Sequence, residues 1–189
     1  LLQDDRFDPS LYENAAIGFA CRKGNIAVVN RLLQDKRVDP SDVINHAIRI
    51  AIEKGYVEVV DRLLQDDRVD PFAEDYHYGD YREISCASRD GYIAVVDRLL
   101  QELTKCVEPT SLIKEVLKSS SYRGHADIVY LILQNKQVND CYLDINWAIW
   151  IVTMYGRTNI VNLLLQHKAR NDVKNLTVEH HEQNYQSID

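Results

Sequence analysis

The sequence predicts an all-α solenoid built from stacked helix-turn-helix units. Three observations predict it. The segment RLLQDKRVDPS at 31–41 returns as RLLQDDRVDPF at 62–72 and, altered, as RLLQELTKCVEPT at 98–110. Gly24, Gly55, Gly91, Gly124 and Gly156 recur at intervals of 31, 36, 33 and 32 residues. Behind each glycine, apolar pairs stand four and five and again eight and nine positions on, from Val28-Val29 and Leu32-Leu33 in the first copy to Ile160-Val161 and Leu164-Leu165 in the last. Steps of three and four are the period of one helix face, and a period in the low thirties marks a repeat array.

The elements follow in order. Leu1 and Leu2 align with the paired leucines of a helix, so residues 1–9 read as the end of a preceding unit, and at least one more unit is expected upstream. Five units follow at 10–40, 41–71, 72–109, 110–140 and 141–172, and residues 173–189 read as a polar cap or loose tail. Within a unit, a stripe of small residues (Ala16, Ile17, Ala20; Ala47, Ile48, Ala51) makes a first helix, and the glycine supplies a left-handed cap. Ile26, Val29 and Leu33 then face the core from a second helix. Asp39 and Asp70 are expected to cap the next first helix, with Pro40 and Pro71 in its opening turn. One hairpin cannot bury its apolar face alone, whereas stacked hairpins share a core.

The segments GNIAVVNRLL, GYVEVVDRLL, GYIAVVDRLL, GHADIVYLIL and GRTNIVNLLL resemble the second half of ankyrin repeats, over about residues 1–172. The first half departs from that family: its TPLH becomes AAIG at 15–18, HAIR at 46–49 and WAIW at 147–150, and RVDPS replaces the residues between repeats. The resemblance therefore implies an ankyrin-like solenoid with shortened or absent β-hairpin fingers. Divergent arrays of this kind are similar to those of protists and large DNA viruses. The third unit is longer, through FAEDYHYGDYREIS before its glycine and QELTKCVEP after it. Tyr76, His77, Tyr78 and Tyr81 in that loop either form a contact patch or fold back over the neighbouring unit.

Composition sets limits on function. A net charge of −7 argues against wholesale wrapping by nucleic acid, which makes that class of partner the less expected one. No run approaches a membrane span, and the opening LLQDDRFDP lacks the features of a signal peptide. Cys21, Cys86, Cys106 and Cys141 form no CxxC, which fits a reducing compartment, cytoplasmic or nuclear. No cofactor is expected: five of the seven glycines belong to the repeat, and no phosphate loop, GxSxG or HExxH occurs. Glu179, His180, His181 and Glu182 resemble a ligand cluster but lie in the polar tail. His125 reads as a turn-stabilising side chain and His46 as a packing or exposed one.

The ankyrin resemblance implies that partners bind on a concave face lined by the first helices. Two features stand there. Arg22, Lys23, Arg49, Lys54, Arg89, Lys118 and Arg123 face only Glu53 and Asp90, a surplus of +5 on a chain of −7. They read either as a basic stripe for an acidic partner or as cations offsetting helix dipoles. In the fifth unit Trp147, Trp150, Met154 and Tyr155 gather, with Tyr122 one unit earlier; they read as an interface anchor or as filling for the end of the core. The sequence thus points to a non-catalytic scaffold or adaptor holding a protein partner. A structural or assembly subunit is the alternative, and a nucleic-acid or anionic-ligand binder a third reading.

Overall fold

The computed structural model describes residues 8–73, 81–106, 108–135 and 144–186, with the backbone alone for Ile44 and for 173–186. Among them every regular element is helical and no strand occurs. The helices are α1 (Leu11–Arg22), α2 (Ile26–Leu32), α3 (Asp42–Lys54), α4 (Val57–Leu63), α5 (Arg82–Asp90), α6 (Ile93–Gln101), α7 (Pro109–Arg123), α8 (Ala126–Gln134), α9 (Ile145–Met154) and α10 (Thr158–Gln186). A 3-10 turn at Leu103–Lys105 follows α6 and buries Leu103. Each odd helix packs on the even helix after it, each odd helix on the next odd one, and each even helix on the next even one. Two rows of helices result, with the core between them.

The repeated residues have repeated places. Val29, Val60, Val96 and Val129 are buried, as are Leu32, Leu63, Leu99 and Ile132, all in one cluster. At the last unit the order breaks: Leu165 is 47% exposed, whereas Leu64, Leu100 and Leu133 at the same position are buried. Leu33, at the same position in the first unit, is half-buried.

The five glycines all take positive φ, from 64° to 88°, as a left-handed helix end requires. A second constraint comes from the neighbouring unit, because the residue after each glycine lies over the glycine before it. Tyr56 covers Gly24, Tyr92 covers Gly55, His125 covers Gly91 and Arg157 covers Gly124. His125 Nε2 is 2.8 Å from the Arg89 carbonyl oxygen. Arg157 donates from Nε to the Ser121 carbonyl at 3.2 Å and from Nη2 to that of Tyr122 at 2.6 Å. These are carbonyls of a last helical turn, which have no partner inside their own helix. His125 therefore stabilises the turn of the unit before its own.

The helix starts differ from expectation. Asp39 does not cap α3; its Oδ1 accepts the Ser41 backbone N–H at 2.9 Å and the Ser41 hydroxyl at 2.6 Å. This closes a tight turn around Pro40, and α3 begins only at Asp42. Asp8 holds Ser10 in the same way, and Asp70 accepts from the Phe72 N–H at 2.9 Å. At Pro109 a proline does open a helix, α7, but Glu108 before it makes no side-chain cap.

Left-handed backbone also occurs inside the first turns. Tyr12, Glu13 and Asn14 have φ of 56–58°, and Val43 and Asn45 have φ of 50° and 55°. Finally, α10 runs on to Gln186 through residues that read as a cap or tail. No glycine or proline lies between 157 and 186 to stop it.

Candidate functional site

The aromatic group of the fifth unit is built on the odd row. In α9, Ala148 and Val152 turn inward and are buried, which places Trp150 and Met154 outward. Trp150 is 58% exposed, Met154 68% and Tyr122 54%. Trp147 is half-buried against the core, and Lys114 Nζ lies 5.6 Å from its ring centroid. Tyr155 meets Tyr122 edge-to-face, with centroids 5.6 Å apart and planes at 83°. That geometry joins α7 to the end of α9 and holds both rings in place. Arg123 adds a cation 5.9 Å from the Tyr122 ring. The arrangement is a fixed aromatic surface with a cationic rim.

The basic stripe divides. Arg49 reaches into the next unit, where its Nη2 is 2.8 Å from Glu83 Oε1 and its Nε donates to the same oxygen at 2.9 Å, both side chains being largely covered. Arg49 is therefore a bridge between α3 and α5, contrary to its reading as a partner-binding residue. Lys54 lies 3.6 Å from Glu53, Arg89 3.3 Å from Asp90 and Lys118 3.3 Å from Glu115. These are exposed pairs of small energetic weight. Arg22, Lys23 and Arg123 are exposed and form no ion pair within 4 Å among the described residues. Arg22, Lys54, Arg89 and Arg123 each sit in the last turn of their helix, where cations also offset the dipole.

Tyr76, His77 and Tyr78 lie outside the described residues, as do the side chains of Glu179 to Glu182. Tyr81 folds back over its neighbour: its hydroxyl donates to the Glu108 carbonyl at 3.3 Å, and Cys106 Sγ lies 3.7 Å from it. The described cysteines Cys21, Cys86 and Cys106 are free thiols. Burial pushes the Cys21 thiol up to about 12 and raises that of Cys106, which keeps both protonated at neutral pH. Among the described residues no group of three or more His, Cys, Asp or Glu is placed to hold a metal. No described helix is long and apolar enough to cross a membrane.

Several contributors escaped the sequence reading. Phe19, 64% exposed on α1, stands on the same row as the aromatic group. Links between even helices join Arg62 Nε to Asn30 Oδ1 at 2.9 Å and Arg98 Nε to Asp61 Oδ1 at 2.9 Å. The recurrence of Asn or Asp just before each Arg-Leu-Leu was a signal that could have found them. The chain matches no protein-family model and no curated protein.

Proposed function

We propose that this chain is an ankyrin-like solenoid without catalytic activity, and that it holds a protein partner on the face of its odd helices. The observation that carries the reading is the exposed group of Tyr122, Trp150 and Met154, with half-buried Tyr155 against Tyr122, on a surface the stack prebuilds. Large aromatic side chains held rigid before binding give up little entropy on contact, which is why such residues dominate interface energetics. The partner is expected to carry acidic residues that meet Arg123 and Lys118 at the rim. The five-fold recurrence of the glycine turn and the apolar pairs supports the ankyrin-like arrangement. The protein is expected to act in the cytoplasm or nucleus.

The test is partner capture from native lysate at low and moderate salt, comparing the unaltered chain with a Trp150→Ala, Tyr155→Ala variant whose circular dichroism is unchanged. One protein lost with the aromatic rings supports the reading. Capture that ignores the rings, or returns only nucleic acid, removes it. The exposed Leu165 favours a second reading, a structural subunit packed permanently in a larger assembly. Sedimentation of the purified chain decides between them, since a subunit of that kind self-associates and an adaptor stays monomeric.

A further inference from the structure

On α7 the exposed residues Lys114, Lys118 and Tyr122 follow one another at intervals of four and so form one stripe along the helix. On α9 Asn146, Trp150 and Met154 form a second stripe in the same way. Contacts at both ends hold the two helices side by side. Lys114 Nζ lies 5.6 Å from the Trp147 ring centroid, and Tyr122 meets Tyr155, just past the end of α9, with centroids 5.6 Å apart. Each contact joins a residue to the one 33 places further on, so α7 and α9 run parallel and in register. Lys118 is then level with Trp150. The face carries a cationic track and an aromatic track beside each other, over about 12 Å of helix.

The charge of this face is positive. α7 carries Lys114, Lys118 and Arg123 against Glu115 alone, and α9 carries no charged residue. Glu115 is occupied by its own neighbours: Oε1 accepts the hydroxyls of Ser85 and Ser119, each at 3.0 Å, and Oε2 lies 3.3 Å from Lys118 Nζ. At the helix starts Glu108 accepts from the Ser111 hydroxyl and Asp144 caps α9. Arg157 and Lys168 match those two carboxylates in number, so the cationic surplus of α7 stands. Lys114 and Arg123 form no ion pair within 4 Å among the described residues. An acidic group on the partner therefore gains a counter-ion here without displacing one.

The spacing selects the shape of the occupant. Four residues of α-helix rise about 6 Å, so successive positions on each track lie about 6 Å apart. A further helix laid along the tracks repeats its own side chains at that pitch, and two neighbouring stripes of one helix reach both tracks at once. An extended segment repeats at about 7 Å and turns alternate side chains to opposite sides, so it meets one track and loses the other. We infer that this face receives an amphipathic helix of the partner, its apolar stripe on Trp150 and Met154 and an adjoining stripe of Asp or Glu on Lys114 and Lys118. This rests on the reading that the odd-row face holds a protein, and it names the form of the segment held.

Both tryptophans of the chain, Trp147 and Trp150, lie on α9, so their emission reports this face. The probe is an end-blocked alanine-glutamine peptide of about four helical turns, with a leucine stripe and a glutamate stripe side by side at four-residue spacing. It is expected to shift the tryptophan emission to the blue in a saturable way. Lys114→Gln with Lys118→Gln should weaken binding about tenfold while circular dichroism stays unchanged, and Lys114→Arg with Lys118→Arg should restore it. Moving the glutamates to the opposite face of the peptide should weaken binding as much as the glutamine variant does. An emission that the peptide leaves unmoved overturns the inference. So does equal binding by the opposite-face peptide, which would make the contact apolar only. Equal binding by a peptide with a central proline overturns it too, since the segment held would then be extended. No peptide response beside ring-dependent partner capture sinks the helix alone. A peptide response beside capture that ignores the rings sinks the adaptor reading instead.

Discussion

Asn14 and Asn45 stand 31 residues apart, and each accepts the backbone N–H of an aspartate 25 residues further on: Asp39 to Asn14 Oδ1 at 2.9 Å and Asp70 to Asn45 Oδ1 at 2.8 Å. Both asparagines are buried and left-handed, a conformation Asn tolerates better than most residues. The hydrogen bond ties the first helix of a unit to the aspartate near the end of the same unit. Asn45→Ala should lower stability in urea by about 1–3 kcal/mol through the stranded Asp70 N–H. Asn45→Gly keeps the left-handed backbone but loses the same bond, so most of the loss should persist. Full recovery in the glycine variant would assign the effect to backbone strain instead.

Gly55 and Gly156 offer a comparison within one protein. Both are left-handed, with φ of 75° and 65°, so alanine costs about 1–2 kcal/mol at either. A β-carbon on Gly55 would also sit 2.7 Å from the Tyr92 ring, while nothing lies within 4 Å at Gly156. Gly55→Ala should therefore melt lower than Gly156→Ala, by a further 1–3 kcal/mol or about that. Equal melting temperatures would mean that Tyr92 does not cover the turn.

Arg49 separates folding from binding. Its pair with Glu83 joins two units under partial cover, so Arg49→Gln should destabilise the chain measurably and leave partner capture unchanged. Glu83→Gln should do the same, and the double variant should cost less than the two losses added. An Arg49→Gln variant of full stability that loses its partner would return Arg49 to the binding surface.

Acid should loosen the loops between units. Arg37 hydrogen-bonds Asp35 through side chain and backbone and lowers its carboxyl to about 2, from an ordinary 3.8. The folded value is the lower one, so the stability this contact adds is present above about pH 4 and is lost as pH falls through about 2. Asp66, held by Arg68, is lowered in the same direction. Asp35→Asn with Asp66→Asn should flatten the acid limb of a stability profile relative to the unaltered chain.

Ser121 is fully buried with its hydroxyl unpartnered among the described residues, as is Ser88 at the same position one unit earlier, while Cys21 and Ile52 fill it in the first two units. Ser121→Ala should be neutral or stabilising by about 1 kcal/mol, since an unsatisfied buried hydroxyl is removed. A clear loss of stability would reveal a partner for that hydroxyl.

Much of this fold could be read in the chain because periodicity reports burial directly. The apolar pairs after each glycine, the left-handed turns and the helical hairpins all follow from residues that recur. What escaped was the use of polar recurrences. Asp39 reads as a helix cap by type and position, but Ser41 two residues on competes for its carboxylate and draws the chain into a turn. In the DKR and DDR of the loops, Asp35 grips Arg37, and Arg68 reaches both Asp66 and the Val38 carbonyl of the preceding loop. Arg49 looked like its exposed neighbours because its partner, Glu83, lies 34 residues away. Of the candidate site, the aromatic residues were legible as an excess over the pattern.

Every link between neighbours has one half in each unit. Arg62 reaches back to Asn30 while Asp61 awaits Arg98, and Tyr56 covers one glycine while Gly55 awaits Tyr92. A stretch such as 41–71 thus brings both halves with it. Copied in tandem within the gene, it would dock on its own duplicate without any compensating change, and the array could lengthen or shorten by whole units through recombination. The edges of such a protein are the places where its history of copying can still be altered.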